Sequence, residues 1–364
     1  MQKTRGIIAE FNPFHLGHKR LLDAGSDCTQ LVVMSGNWMQ RGEPAFIDKW
    51  LRAEMALKNG ADLVVELPFL ASVQGADFFA KGAVDILSRL GIDELAFGTE
   101  SDTDYQQIAV LYAEKADEMQ AYIEALPSHI SYPVRAQQAW EHFAAVQFDG
   151  NTPNHILGLA YAKAVAGRGI QLKTIQRNTA YNDSELGETF ASATAIRQHL
   201  ETAESFVPAN IWPILQEAPK ISWSDFWPLL KYKIIATDIR RIYQVNDELA
   251  SRIKKAVKTA DSLDALIEQV YTKRYTKGHI RRLMAYILND VDKKAVLPEA
   301  IRVLGFNEKG RQILARARKS DIELCSRIGQ FPWDAVTQRA DEIYRLGNPA
   351  ITEQNYGRKP LILG

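Results

Sequence analysis

The sequence predicts an α/β fold class: a parallel sheet domain over residues 1–204, followed by an all-helical domain over residues 205–364. In the first half, short apolar runs alternate with longer amphipathic ones, which is typical of strand–helix repeats. The short runs are continuously apolar, as expected of strands covered on both faces. From about residue 208 onward no convincing parallel strand is found, and amphipathic segments predominate.

Five segments are predicted to be strands: GIIAEF (6–11), LVVMSG (31–36), DLVVEL (62–67), ELAFG (94–98) and IQLKTIQR (170–177). Helices are predicted at 18–25, 49–61, 76–91 and through most of 104–170, where 154–167 forms a distinct amphipathic helix. Gly25, Gly60 and Gly91 are expected to end the first three helices at positive φ. Residues 190–203 should form a loop that enters a helix capped by Ser192 or Thr194.

The bulk composition fits a globular protein of 364 residues with two or three domains, since 46% of the residues are hydrophobic and 24% are charged. Cys28 and Cys325 lie far apart and form no CxxC pair, so they are expected to be reduced thiols. No apolar run is long enough for a signal peptide or a membrane span. We therefore expect a cytoplasmic protein without a membrane partner.

The two halves carry opposite charge. Residues 1–204 contain 17 Lys and Arg against 26 Asp and Glu, and residues 205–364 contain 27 against 18. The net charges of −9 and +9 indicate that the second half binds a polyanion such as nucleic acid. The alternative is that Lys and Arg simply cover solvated helix faces.

The predicted carboxyl ends of the strands carry the polar residues. These ends read FNPFHLGH, MSGNWMQRGEP, LPFL and FGTES, and such ends meet at one edge of a parallel sheet, where ligands bind. His15, Gly17 and His18 stand at the first turn of a helix, whose free N–H groups favour phosphate. A metal pair is the rival interpretation, although metal-binding HExxH helices use a different spacing with a glutamate. A purely structural histidine pair is a third.

With GIIAEFNPF before it, HLGH resembles the HxGH signature of HIGH-superfamily nucleotidyltransferases and class I aminoacyl-tRNA synthetases, and FASATAIR (190–197) resembles their second signature loop. Further segments, including VVMSGNWMQRGEPAFIDKW, NHILGLAYAKA and RVLGFNEKG, are similar to the tRNA(Met) cytidine acetate ligase family from residue 6 to at least 310. The resemblance implies a Rossmann-like parallel sheet nucleotidyltransferase domain. It also implies a ligase that activates acetate with ATP and acetylates N4 of the wobble cytidine of elongator tRNA(Met), giving N4-acetylcytidine.

The resemblance also implies site residues. His15, His18 and Arg197 are the expected catalytic residues, which stabilise charge on the phosphates, with Mg²⁺ as a counterion. The expected ATP-binding positions are Ile7, Ile8, Ala9, Glu10, Phe11, Asn12, Pro13, Phe14, His15, Leu16, Gly17, His18, Lys19, Arg20, Gly98, Asn154, Arg177, Ser192 and Thr194. Three of these have ordinary alternatives: Gly98 as a turn, Asn154 as a helix cap and Arg177 as a surface salt-bridge partner.

Two further groups of residues are expected to contact the other substrates. The acetate or rim positions are Ser35, Gly36, Asn37, Gln40 and Arg41. The alternative is that the neighbouring Trp38 and Met39 plug the core beneath this loop. The expected tRNA-binding positions are Lys273, Arg274, Tyr275, Lys277, Arg281 and Arg282, where basic groups alternate with tyrosines that could stack on unpaired bases of an anticodon loop. A solvated helix face is the alternative there.

Two other functions fit parts of the sequence. A small-molecule adenylyltransferase would use the first 200 residues and leave the basic half without a role. An RNA-binding adaptor that keeps a nucleotide fold as a scaffold would not need His15, Gly17, His18 and Arg197 together. The sequence leaves open the oligomeric state and the base that removes the N4 proton.

Overall fold

The computed structural model describes residues 2–127, 129–146, 153–176, 190–329 and 333–364. Within these ranges one sheet is formed by β1 (Thr4–Ala9), β2 (Thr29–Ser35), β3 (Leu63–Leu67), β4 (Glu94–Thr99), β5 (Gln171–Gln176), β6 (Ile301–Phe306), β7 (Leu324–Cys325) and β8 (Leu361–Ile362). The first five strands overlap the five predicted ones and all run parallel. The predicted parallel sheet is therefore confirmed.

The strand order places a crevice beside β1. Along the sheet the order is β5-β4-β1-β2-β3-β6-β7, with β8 paired to β6. The chain moves outward from β1 through β2 to β3, and then returns to the other side of β1 as β4. The connections after β1 and β4 therefore diverge, and in parallel α/β sheets this switch point is where ligands bind.

Helices cover both faces of the sheet because successive side chains of each strand point in opposite directions. Leu31 and Val33 pack into one buried cluster, whereas Val32 and Met34 pack into another. The helices of the first half are α1 (Leu16–Asp23), α2 (Lys49–Lys58), α3 (Phe69–Ser72), α4 (Ala76–Arg89), α5 (Tyr105–Ala125), α6 (Tyr132–Ala144), α7 (Pro153–Val165) and α8 (Ala193–Gln198). Gly60 and Gly91 have the predicted positive φ, but Gly25 does not, so the prediction for Gly25 is wrong.

Most of the second half is helical, as predicted. Its helices are α9 (Trp212–Glu217), α10 (Trp227–Ala236), α11 (Asp247–Ala256), α12 (Leu263–Val270), α13 (Lys277–Leu288), α14 (Glu308–Lys319) and α15 (Ala335–Leu346). A third buried cluster joins α10 to α13 and α15, and Trp38 and Met39 from the loop after β2 enter it. Both side chains are therefore buried in the core, as that alternative expects, and Met39 also borders the cavity at the carboxyl end of β1.

The second half also contributes strands to the sheet, which the sequence analysis did not predict. β6 pairs antiparallel with β3, and α14 packs on β2 and β3. Arg302 interrupts the apolar run of β6, and its side chain is fully buried with the guanidinium 5.5 Å from the centre of the Trp50 ring. Because a charged residue interrupts the apolar run, the sequence pattern did not predict this buried strand. The boundary between residues 204 and 205 stays a prediction, since β6 and α14 belong to the sheet layer.

Among the described residues, no helix is both long and apolar enough to cross a membrane.

Candidate active site

The crevice between β1 and β4 opens into two adjoining cavities. The larger is about 200 Å³ and is lined by Ile8, Ala9, Glu10, Phe11, Asn12, His15, His18, Leu21, Met39, Gln40, Arg41, Glu43, Phe79, Phe97, Gly98, Asn154, Leu157, Tyr161, Ala193, Thr194 and Arg197. The smaller is about 60 Å³ and is lined by His15, Gly17, His18, Arg20, Leu21, Gly98, Ile175, Gln176, Phe190 and Ala191. The two cavities share His15, His18, Leu21 and Gly98, so the two histidines lie where the cavities meet.

The turn between β1 and α1 fixes the two histidines. His15 is the N-cap of α1, and its Nδ1 accepts a hydrogen bond from the Gly17 N–H at 3.0 Å. Nδ1 of His18 accepts one from the His15 N–H at 3.3 Å, which completes a reciprocal capping box. The ring centres are 3.8 Å apart, and Phe11 and Phe14 are buried beneath the turn.

This arrangement assigns the ring protons. A neutral imidazole has one donor and one acceptor nitrogen, and here each Nδ1 is the acceptor. Each Nε2 therefore carries the proton and serves as a donor. Gly17 leaves no space for a larger residue, because an added Cβ would lie 2.8 Å from Cε1 of His15. The first turn of α1 thus combines two side-chain donors with the positive end of a helix, which suits an anion such as phosphate.

Arg197 joins the two signature segments. Ser192 caps α8 by accepting a hydrogen bond from the Ala195 N–H at 3.0 Å, as predicted. From this short helix Arg197 donates to the carbonyl oxygen of Asn12 at 2.6 Å and to Oγ1 of Thr194 at 3.2 Å. The guanidinium therefore lies in the larger cavity against the loop that carries the histidines.

Most predicted ATP-binding residues line one of the two cavities, and some do not. The cavity-lining ones are Ile8, Ala9, Glu10, Phe11, Asn12, His15, Gly17, His18, Arg20, Gly98, Asn154 and Thr194. Those that do not line either cavity are Ile7, Pro13, Phe14, Leu16, Lys19 and Ser192. Lys19 instead pairs with Asp23 on the surface of α1. Arg177 lies outside the described residues.

The predicted acetate positions divide in the same way. Gln40 and Arg41 line the larger cavity, whereas Ser35, Gly36 and Asn37 do not. Asn37 is buried, and its amide donates to Asp341 at 2.8 Å and to Gln354 at 3.1 Å. These contacts tie the loop to α15 and the C-terminal segment and hold Asn37 away from both cavities, so its contact with acetate stays a prediction.

Ser35 and Gly36 are enclosed beside Asn37. Ser35 is fully buried, and a Cβ added to Gly36 would lie 2.4 Å from Oε1 of Glu66. Neither residue lines either cavity, because the end of β2 is packed against protein, and their contact with acetate stays a prediction. The loop reaches the cavity only from residue 39 onward.

Glu10 is a half-buried acid of the larger cavity. Its carboxylate accepts a hydrogen bond from the Gln40 N–H at 2.6 Å, and burial raises its pKa. Neighbouring Glu43 raises the pKa further, while Arg41 and Arg52 oppose the shift. In the described ranges no group of three or more His, Cys, Asp and Glu side chains is arranged to hold a metal ion. The rival metal interpretation of the two histidines therefore gains no support there.

The comparisons with known proteins agree with this geometry. A sequence profile of the HIGH Nucleotidyl Transferase family matches residues 1–359. A tRNA(Met) cytidine acetate ligase of Streptococcus pneumoniae strain JJA is 58% identical over 361 residues, which cover 98% of each chain. The chain belongs to the tRNA(Met) cytidine acetate ligase family. The family resemblance predicted from the sequence is therefore confirmed.

Solved structures of this family share the whole fold. A crystal structure of Thermotoga maritima TmcAL in an apo form superposes with a TM-score of 0.86 at 28% identity, covering 99% of both chains. A second crystal form of the same protein, bound with alpha-thio ATP, matches with a TM-score of 0.86 at 29% identity and the same coverage. The HIGH-superfamily Rossmann-like sheet and the helices of the second half are therefore both shared with these structures.

The basic segment after α12 is only partly available to a ligand. Lys273, Arg274 and Lys277 are exposed, and Arg281 forms ion pairs with Glu43 at 3.4 Å and with Asp264 at 3.1 Å. Burial lowers the pKa of Arg282, and Arg41 lowers it further. Lys273, Arg274 and Lys277 therefore face outward. Arg281 and Arg282 lie against the loop after β2.

Tyr275 does not fit the predicted stacking role. Its ring is buried, its hydroxyl donates to Glu248 and it accepts a hydrogen bond from Asn246, both at 3.0 Å. Tyr271 is 44% exposed and is the tyrosine of this segment that could stack on a base. The alternation of basic and aromatic residues indicated the surface correctly but not which ring faces solvent.

Several residues that line the larger cavity were not predicted from the sequence. Phe79, Phe97, Leu157 and Tyr161 form an apolar wall of the larger cavity. They belong to apolar helix and strand patterns that are indistinguishable from ordinary core. Glu43 was also missed, although it belongs to the quoted loop MSGNWMQRGEP that follows β2.

Proposed function

We propose that this protein is an ATP-dependent ligase that activates acetate as acetyl-adenylate and transfers the acetyl group to N4 of the wobble cytidine of elongator tRNA(Met). The products are N4-acetylcytidine, AMP and diphosphate. The observation that carries the proposal is the meeting of His15, His18 and Arg197 in one crevice of a chain that is 58% identical to a tRNA(Met) cytidine acetate ligase. A ligase that uses ATP and tRNA would act in the cytoplasm.

The activation step needs charge stabilisation. Acetate attacks the α-phosphorus of ATP, negative charge grows on the phosphate oxygens, and diphosphate leaves. The Nε2–H donors of the two histidines and the α1 N-terminus stabilise that charge, and the guanidinium of Arg197 holds the departing phosphates. Because these groups are fixed by the capping box and by the contact between Arg197 and Asn12, they need little reorganisation during the reaction.

The two cavities suit the two small substrates. The nucleotide would span both cavities and enter the smaller one with only part of the adenosine, where Gly98 permits close approach and Phe190 offers an aromatic face. Acetate fits the larger one, where Phe97 and Tyr161 can shield its methyl group and Arg41 can pair with its carboxylate. Both substrates then meet at the histidines that the cavities share.

Mg²⁺ would be held at this site chiefly by the phosphate oxygens of the nucleotide. Mg²⁺ keeps several waters and takes phosphate oxygens as ligands, and the described residues provide no protein cluster for it. It would supply further charge neutralisation on the β- and γ-phosphates when bound. Arg197 and the two histidines provide the protein's own share.

The acceptor tRNA is expected to lie along the second half, where residues 205–364 carry a net charge of +9. Lys273, Arg274 and Lys277 are exposed there and can pair with phosphates in a salt-dependent way. A wobble base lies in a single-stranded loop, so presenting it costs less than extracting a paired base.

The deciding experiment incubates the protein with ATP, radiolabelled acetate and bulk tRNA, followed by nuclease digestion and chromatography. Label in N4-acetylcytidine is the expected result. Label absent from RNA, together with adenylylation of a small molecule, would instead establish the alternative of a small-molecule adenylyltransferase. Omitting ATP is the matched control and should abolish incorporation.

A further inference from the structure

A third cavity adjoins the proposed ATP and acetate site. It is a groove of about 520 Å³ between the sheet layer and the helical second half. Asn12, Glu43 and Arg197 line both this groove and the larger cavity of the site, so the two spaces adjoin at these residues. The opposite wall of the groove includes Trp223 and Arg281. The proposed reaction assigns no substrate to this groove so far.

Trp223 provides a fixed aromatic wall. Its Nε1 donates to the carbonyl oxygen of Gly42 at 3.1 Å, and its ring packs edge-on against Trp38 with centres 5.5 Å apart. The side chain remains partly exposed on the groove side. An aromatic ring held in this way suits a planar, unpaired base, because stacking uses a π-face that every base has.

Glu43 stands at the junction of the groove and the site. Its backbone is fixed by the hydrogen bond from the Met39 N–H to its carbonyl oxygen at 2.7 Å, and its carboxylate lies 3.4 Å from Arg281. A carboxylate is the natural acceptor for the exocyclic amine of cytosine. In uracil the carboxylate would instead face a carbonyl oxygen, and the two acceptors would repel each other.

We propose that the groove holds the acceptor cytosine of the RNA, stacked on Trp223, and that the Glu43 carboxylate accepts first a hydrogen bond and then a proton from its N4 amine. This inference rests on the proposed function. N4 attacks the carbonyl carbon of acetyl-adenylate, the new C–N bond forms and the bond from that carbon to the phosphate oxygen breaks. AMP leaves with the electron pair, and the proton lost by N4 passes to Glu43 and then to water.

Position distinguishes Glu43 from the other acids nearby. Glu10 lines the larger cavity but not the groove, whereas Asp264 lines the groove but not the larger cavity. The amine must lie in the groove while it faces the acetyl group in the cavity. Of these three carboxylates, only Glu43 borders both spaces.

The test separates the two half-reactions in Glu43→Gln, an isosteric change. Acetate-dependent exchange of labelled pyrophosphate into ATP measures activation, and acetyl transfer to tRNA measures the second step. Transfer at saturating tRNA should fall roughly 100-fold or more, the usual effect of losing a general base, while exchange falls far less. Asp264→Asn removes the other carboxylate partner of Arg281 and should reduce transfer at least ten times less than Glu43→Gln does.

A binding measurement adds a readout that a structural role would not change. A tRNA with uridine at the acceptor position should inhibit the wild type weakly, and Glu43→Gln should bind it more tightly, because an amide can donate to the uracil carbonyl. Trp223→Leu should raise KM for tRNA roughly tenfold, whereas Trp223→Phe retains most of the stacking.

Three results would overturn the inference. They are a Glu43→Gln variant with near wild-type transfer, an equal loss in exchange and transfer at an unchanged melting temperature, and an equal loss in Asp264→Asn. A wild-type protein that exchanges pyrophosphate but never acetylates tRNA would refute the proposed function itself, and the inference with it.

Discussion

Substitutions of His15 can separate its two roles, as a helix cap and as a donor to the substrate. In the structure Nδ1 accepts the Gly17 N–H, and Nε2 carries the proton assigned to the phosphates. In His15→Asn, Oδ1 occupies the position of Nδ1 and can still cap α1, since Asn is among the best N-cap residues. His15→Ala removes both functions.

The expected magnitudes follow from these contacts. Loss of one donor to a developing anion costs about 2.7–4 kcal/mol of transition-state stabilisation, so both variants should reduce acetate-dependent pyrophosphate exchange roughly 10²- to 10³-fold. Loss of the cap costs about 1 kcal/mol of unfolding free energy, which lowers the melting temperature by about 2 °C in His15→Ala but not in His15→Asn.

The two variants should therefore be alike in exchange rate and different in thermal stability. Exchange is measured at saturating ATP and acetate, and stability by scanning calorimetry of the same preparations. If His15→Asn keeps near wild-type exchange, the imidazole serves only as a cap, and the assignment of Nε2 to the phosphates is refuted.

Three further variants test the remaining parts of the structure. Lys49→Met leaves the two buried carboxylates that Lys49 pairs with at 2.6–2.8 Å uncompensated, so chemical denaturation should show a loss of about 3–5 kcal/mol. Burial raises the pKa of Glu10, so its ionisation opposes folding as the pH rises above its usual value of 4.5. Glu10→Gln should therefore raise the melting temperature relative to wild type at about pH 8 and leave it unchanged at about pH 4; an equal shift at both would contradict the burial effect. Replacing exposed Lys273 and Arg274 together by Ala should weaken tRNA binding and reduce the slope of log affinity against log salt by about 2. An unchanged slope would remove that surface from the tRNA site.

The pairing of the HLGH and ASATAIR segments shows how far the sequence could be interpreted. Both are local: a histidine cap, a glycine at a helix start and a serine cap can be identified from neighbouring residues alone. The structure places them together, with Arg197 2.6 Å from the Asn12 carbonyl oxygen although 185 positions separate them in the chain. The sequence suggested that the two segments form one site, and it did so through the family resemblance and not through any local pattern.

Two residues that were predicted to contact substrates have partners inside the protein, for a common physical reason. Asn37 was predicted to contact a substrate because it is a polar residue that follows a strand. Tyr275 was predicted to do so because it is an aromatic residue among basic ones. Each is instead satisfied inside the protein, Asn37 by Asp341 and Gln354 and Tyr275 by Glu248 and Asn246. A polar side chain near a site has the same sequence signature whether its partner is a ligand or a distant part of the chain.

The sequence by itself determined the strand–helix alternation, the histidine-capped turn at His15–His18, the opposite charges of the two halves and the family. These depend on short-range periodicity, capping chemistry and composition. Tertiary structure alone decided that β6 returns to the sheet beside β3 and that the end of β2 is enclosed by α15. It also decided that Glu43 lies between the larger cavity and the groove beside Trp223. Each of these depends on which distant segments pack together, because burial and the adjacency of cavities are properties of the folded chain and leave no local pattern.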